Sequence, residues 1–156
     1  MEEISAKIKS RIKGNVTLVG IGNPLRGDDG FGPKLIEALK GSVKAAIFDC
    51  GTAPENYIIP ILNSNPDTVI LLDAADFRGS PGDIGVFNME EISNMGFSTH
   101  NSSPRLLADL FKTGDAGLNI FMVVMQPKNI SFGENLSDEM KRGIERLKKV
   151  FLKVLS

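Results

Sequence analysis

The chain of 156 residues holds one cysteine, one histidine, one tyrosine and no tryptophan. A lone cysteine, Cys50, excludes an intrachain disulfide and any zinc site built from several thiolates, and it fits a reducing compartment. Long apolar runs are missing too. The longest, "VTLVGIG", "VILLDAA" and "IFMVVM", are of strand length, far short of the ~18 residues that cross a bilayer. Neither charge sign is in excess: 18 Lys and Arg face 19 Asp and Glu, for a formal net charge of -1 at pH 7, with a pI near 5.9. That balance argues against a nucleic-acid partner. The N-terminal stretch "MEEISAKIKSRIKG" lacks the basic start and apolar core of a secretory signal, so the expected location is the cytoplasm, away from any membrane. The cations of "MKRGIERLKKVFLK" fall in the later turns of an expected helix, where they suit the helix dipole.

What is present reads as one α/β domain over residues 1–156. Ile4, Ile8 and Ile12 have helical spacing, and Gly14 follows as a stop. "NVTLVGIG" (15–22) is a continuous run of β-branched and aliphatic residues, the pattern of a strand buried on both faces. Pro33 opens a helix through Leu35, Ile36 and Leu39; "VKAAIFDC" is the second strand; Pro54 opens a helix through Ile61 and Leu62; "TVILLDAA" is the third strand. This β-α-β-α-β order predicts a parallel sheet with right-handed crossovers. The link to "DIGVFNM" is too short for a helical crossover, so a fourth strand is expected antiparallel and at an edge. Residues 94–103, "NMGFSTHNSS", show no periodicity and read as a surface loop. A helix through Leu106–Phe111, the strand "LNIFMVVMQ" and an amphipathic helix from Leu136 to Val154 complete the chain. The expected architecture is a three-layer sandwich: a mostly parallel, twisted, five-stranded sheet with one antiparallel edge strand and helices on both faces. With no obvious apolar helix surface left over, a monomer is expected.

In such a sheet the loops after the carboxyl ends of the strands share one rim, where ligand sites form. Strand one is followed by Asn23, Asp28 and Asp29; strand two ends in Asp49, with Glu55 soon after; strand three ends in Asp73, with Asp76 behind it; His100 lies in the irregular loop. Carboxylates gathered on one rim repel unless a cation, a proton or a partner's charge relieves them. Two carboxylates and an imidazole form a reasonable site for a divalent transition metal with positions left open. Taken singly, an acidic residue before a helix such as Asp28 or Asp29 is more often an N-cap, and a lone histidine in a polar loop is more often merely solvated. A dinucleotide reading of "GIGNPL" fails because the third glycine position is Leu25 and the helix start carries Asp28 and Asp29, which oppose an anionic ligand. No G-x-S-x-G elbow occurs, and nothing beyond residue type links Cys50 with His100.

Four segments in order, "GIGNPLRGDDGFGP", "DCGTAPEN", "LLDAADFRGSPGDI" and "STHNSSP", together resemble the hydrogenase maturation endopeptidases. These are nickel-dependent proteases that trim the C-terminal extension from a [NiFe]-hydrogenase large-subunit precursor. "TAPEN" and "THN" look most similar to the branch that matures the formate-hydrogenlyase type of hydrogenase. The resemblance implies Asp29, Asp73 and His100 as the metal-contacting and catalytic residues, choosing Asp29 over Asp28. It implies nickel that arrives already inserted in the precursor, and a carboxylate, Asp29 or Asp73, that takes a proton from the attacking water. Residue type further suggests a substrate-binding stretch of Gly22, Asn23, Gly27 and Asp28, the glycines admitting an extended peptide and Asp28 also capping the loop. A non-enzymatic nickel-binding checkpoint or carrier on the same fold is the alternative.

Overall fold

The computed structural model describes residues 1–95, 98–99 and 103–156. Its strands are β1 (Val16–Gly20), β2 (Ala46–Asp49), β3 (Thr68–Asp76), β4 (Ile84–Asn88), β5 (Ser98–Thr99) and β6 (Asn119–Met125). Its helices are α1 (Glu2–Arg11), α2 (Phe31–Leu39), α3 (Ile58–Asn63), α4 (Met89–Met95), α5 (Pro104–Gly114) and α6 (Asp138–Val154). Five strands make the main sheet in the order β2, β1, β3, β6, β4. The first four run parallel, and β4 pairs antiparallel with β6 at the edge, as its short connection predicts. Among the described residues no helix is long and apolar enough to cross a membrane.

The pleat of the central strands sorts the core into two layers. Ile70, Leu72, Phe121 and Val123 pack with Ile8, Leu35, Leu39, Leu147 and Phe151, so α1, α2 and α6 cover one face. Val69, Leu71, Met122 and Val124 pack with Ile61, Met89, Ile92, Leu107 and Phe111, so α3, α4 and α5 cover the other. Alternate residues along one strand serve opposite layers, which is why these strands are apolar throughout.

The order of strands creates a reversal. From β1 the chain moves outward to β2 through α2, then crosses back over β1 to β3 through α3. Right-handed crossovers in opposite directions must lie on opposite faces, as α2 and α3 do. A crevice therefore opens beyond the carboxyl ends of β1 and β3, where Gly20 pairs with Leu72.

One expectation needs correction. Residues 94–103 are not all irregular: α4 runs to Met95, and β5 pairs with Ala75 and Asp76 of β3. The helix starts at a reciprocal capping box, in which the Glu91 N–H donates to Asn88 Oδ1 at 2.8 Å and the Asn88 N–H donates to Glu91 Oε1 at 3.0 Å. Met89 and Ile92, three apart, supply its buried face. Arg11 of α1 also donates to Glu91 Oε1, at 3.2 Å. The Asn88 N–H and, less strongly, Arg11 hold the Glu91 carboxyl below its usual range. The stabilisation is therefore present above the ordinary glutamate pKa and is lost as pH falls through the depressed one. Thermal melts of wild type and Glu91→Gln should differ at neutral pH and converge on acidification through that range. Curves separated by the same amount at every pH would refute the charged cap.

Candidate active site

The crevice is lined by backbone pairing before any side chain enters it. Beyond the β1 ladder, the Ile21 N–H donates to the Leu72 carbonyl at 2.9 Å and the Gly22 N–H to the Gly51 carbonyl at 2.8 Å, which joins the loop after β1 to β3 and to the loop after β2. Gly22 has φ +143°, and a Cβ there would strike the Asp29 carbonyl. Gly27 has φ +54°, and a Cβ there would strike the Asn129 carbonyl. Both glycines thus answer to close approaches within this chain.

Residues Gly27–Gly30 form a single 3₁₀ turn ahead of α2, and the turn packs against β3. Successive side chains of such a turn diverge by about 120°. The two aspartates consequently face different neighbours. Asp28, 0% exposed, points to the loop between β6 and α6. Its carboxylate accepts from Lys128 N–H at 2.8 Å, Ser137 N–H at 2.7 Å and Ser137 Oγ at 2.7 Å. Ser137 is in turn the N-cap of α6, accepting from the Met140 N–H. A carboxylate so engaged serves the loop-capping role expected of Asp28 and offers little to a substrate.

Asp29, 1% exposed, accepts from the Asn23 N–H at 2.9 Å through Oδ2. Asn23 Oδ1 accepts from the Leu25 N–H at 2.9 Å. Asp73, also 1% exposed, follows Leu72 on β3 and stands opposite Val124. It has the pleat parity of Val69, Leu71 and Ala75, the α3–α5 side. The turn carrying Asp29 and the strand carrying Asp73 are therefore neighbours at one end of the sheet. His100 lies outside the described residues; Thr99, before it, pairs with Ala75, two positions along β3 from Asp73. Among the described residues no three acidic, histidine or cysteine side chains cluster as a metal site.

The other rim carboxylates have local duties. Asp49 is exposed and accepts from the Gly51 N–H at 3.1 Å, and Glu55 is exposed. Asp76 accepts from the Arg78 N–H and from the Gln126 amide, at 3.0 and 3.1 Å, and these hold its carboxyl below the usual range. Gln126 itself escapes the sequence reading. Buried at the end of β6, it also accepts from the N–H groups of Phe77 and Gly79, both at 3.0 Å, and so shapes the loop after β3, a strand that runs to Asp76 and does not end at Asp73 as expected. Its signal was the one that singles out Asp49 and Asp73: a polar residue closing an apolar strand. A concavity of about 510 Å³ between Gly14, Lys44 and Ser64 has no acidic or histidine side chain in its wall and opens near the amino ends of the strands.

The family profile of the hydrogenase maturation proteases (HycI) matches residues 33–154. The hydrogenase 3 maturation protease of Escherichia coli K12 is 34% identical over 131 residues, covering 82% of this chain and 83% of its own. This chain belongs to the hydrogenase maturation protease family. Its fold matches the crystal structure of the [NiFe] hydrogenase maturation protease HycI from Thermococcus kodakarensis KOD1, with a TM-score of 0.86 and 30% identity over 96% of this chain and 98% of that one. The endopeptidase HybD from E. coli shares the fold at 23% identity, with a TM-score of 0.71 over 87% and 88% of the two chains.

Two measurements test this description of the maturation protease site. Asp28→Ala leaves buried N–H groups without acceptors and should cost about 3 kcal/mol, lowering Tm by roughly 6–12 °C; a loss under about 2 °C would contradict the structural role. Cys50 is buried beside Asp49, and burial first, then that charge, pushes its thiol up to about 12. Ellman's reagent should leave it unmodified in native protein at pH 8 and titrate it fully in denaturant. Rapid native labelling would contradict the burial.

Proposed function

We propose that this chain is an endopeptidase that removes the C-terminal extension of a [NiFe]-hydrogenase large-subunit precursor after nickel insertion. It reads the precursor-borne nickel through Asp29, Asp73 and His100. The observation that carries this reading is the delivery of two nearly water-free carboxylates, from separate elements, to the crevice where β1 and β3 part. Family membership supplies the reaction class.

The donor types fit the ion: carboxylate oxygens and an imidazole suit a borderline divalent metal, and the lack of a thiolate makes retention by the free protease weak. Nickel is accordingly treated as part of the substrate. A divalent ion so placed polarises a carbonyl or lowers the pKa of a water. The chain's own contribution is a carboxylate, Asp29 or Asp73, that takes the proton from the water adding to the scissile carbonyl. The proton passes to the departing amine as the C–N bond breaks, leaving a new carboxyl on the large subunit and a free tail.

The test is a cleavage assay on the precursor, with and without nickel, read by the mass of the released tail. Asp29→Asn and His100→Ala should lower the rate at least ~100-fold while far-UV circular dichroism stays unchanged. Wild-type rates in either variant would disprove the site. Binding of loaded precursor with no shortening by wild type would favour the checkpoint or carrier alternative.

A further inference from the structure

Two of the most exposed large apolar side chains, Leu25 at 62% and Phe132 at 73%, stand on loops that are fastened together. The Gly133 N–H donates to the Leu25 carbonyl at 2.8 Å, the Asp28 N–H to the Asn129 carbonyl at 2.8 Å and the Gly27 N–H to the Glu134 carbonyl at 3.1 Å. The buried Asp28 carboxylate fixes the same two segments through Lys128 and Ser137. Single exposed apolar residues need no explanation. This pair differs in three respects. The residues come from segments over 100 positions apart in sequence yet hydrogen-bonded side by side. Their loops are pinned at both ends of the contact, so neither loop can rearrange without breaking these hydrogen bonds. And the loop that bears Leu25 runs directly into the turn that bears Asp29.

Apolar side chains exposed to water on fastened loops beside a reaction centre have the character of a docking anchor, with an aromatic residue as its main contact. The nearby Lys128 ammonium is paired with Glu139 at 3.0 Å, which leaves it less able to select an acidic partner. Continuity with the crevice identifies the occupant. We infer that Leu25 and Phe132 form a docking surface for an apolar, extended segment of the precursor polypeptide beside the bond to be cut. This rests on the protease reading above, and it adds a recognition element that makes no contact with the metal.

The test uses full-length protein and nickel-loaded precursor, with cleavage kinetics and direct precursor binding measured in parallel. Leu25→Ala with Phe132→Ala should raise KM and the binding Kd about tenfold, the effect of ~1.4 kcal/mol of lost burial, and leave kcat within roughly twofold. Phe132→Leu should recover part of the loss. Ile59→Ala, which removes a 72% exposed side chain from α3, should change neither constant. Unchanged KM and Kd in the double variant, a loss confined to kcat, or an equal effect of Ile59→Ala would each overturn the inference while leaving the protease reading intact. Should wild type bind the precursor without cutting it, a tenfold weaker complex for the double variant would uphold the docking surface and reject the protease reading. No binding by wild type would reject both.

Discussion

A carboxylate taken entirely out of water is costly unless several donors replace the solvent, and Asp28 has that replacement. Two backbone N–H groups and a hydroxyl meet its two oxygens at 2.7–2.8 Å. None of these donors belongs to its own loop. The bonds therefore do more than satisfy a charge: they make the loop after β1, the loop after β6 and the first turn of α6 one body. If the Asp28 carboxylate is removed, the Gly27–Gly30 turn keeps only its backbone bonds to Asn129 and Glu134, and the hold on the direction of Asp29 weakens. The position of one candidate functional group thus follows from the burial of its sequence neighbour.

The same turn explains why a doublet of aspartates does not act as a doublet. A 3₁₀ turn sends neighbouring side chains about 120° apart. Asp28 faces the loop ahead of α6 and Asp29 the side where the chain leaves β1, so the two charges have separate environments and separate duties. Topology supplies the second carboxylate. Because α2 and α3 lie on opposite faces, β1 and β3 are adjacent while the loops beyond them part, and Asp73 enters the gap from a strand braced on both sides by β1 and β6. A group on a central strand moves less than one on a loop.

Much of this was legible in the sequence, and the reasons for the rest are physical. Strand directions followed from connection lengths: helices where parallel strands need them, and a short link before antiparallel β4. The carboxyl-edge rule brought Asp29 and Asp73 to one rim without coordinates. The partners of Asp28 were out of reach, because they lie 100 and 109 residues away and two of the three donors are backbone N–H groups with no residue-type signature. The glycines were legible as close approaches, but the approaching groups proved to be the Asp29 and Asn129 carbonyls of this chain. Helix α4 was hidden for another reason. At seven residues it is too short to build periodicity, and its signature is the cap pair Asn88 and Glu91, which is local and easily passed over between a strand and an irregular stretch.

The placement of Cys50 sharpens the proposed use of the rim. Cys50 follows directly on β2, and the next residue, Gly51, accepts the Gly22 N–H, so a thiol lies within a few residues of the crevice. A thiolate there would be the strongest soft ligand available to nickel. Its side chain is instead buried in the core layer under α3–α5, and the proposed donor set is left with hard oxygens and one imidazole. For a protease that must distinguish loaded from empty precursor, weakness of that kind is useful. Discrimination equals the difference in affinity for the two forms, and that difference is the metal's own contribution to the complex. A free protease that kept its own nickel would bind both precursors alike. On this reading affinity comes from elsewhere, and the proposed docking surface beside the rim is a source that makes no reference to the metal.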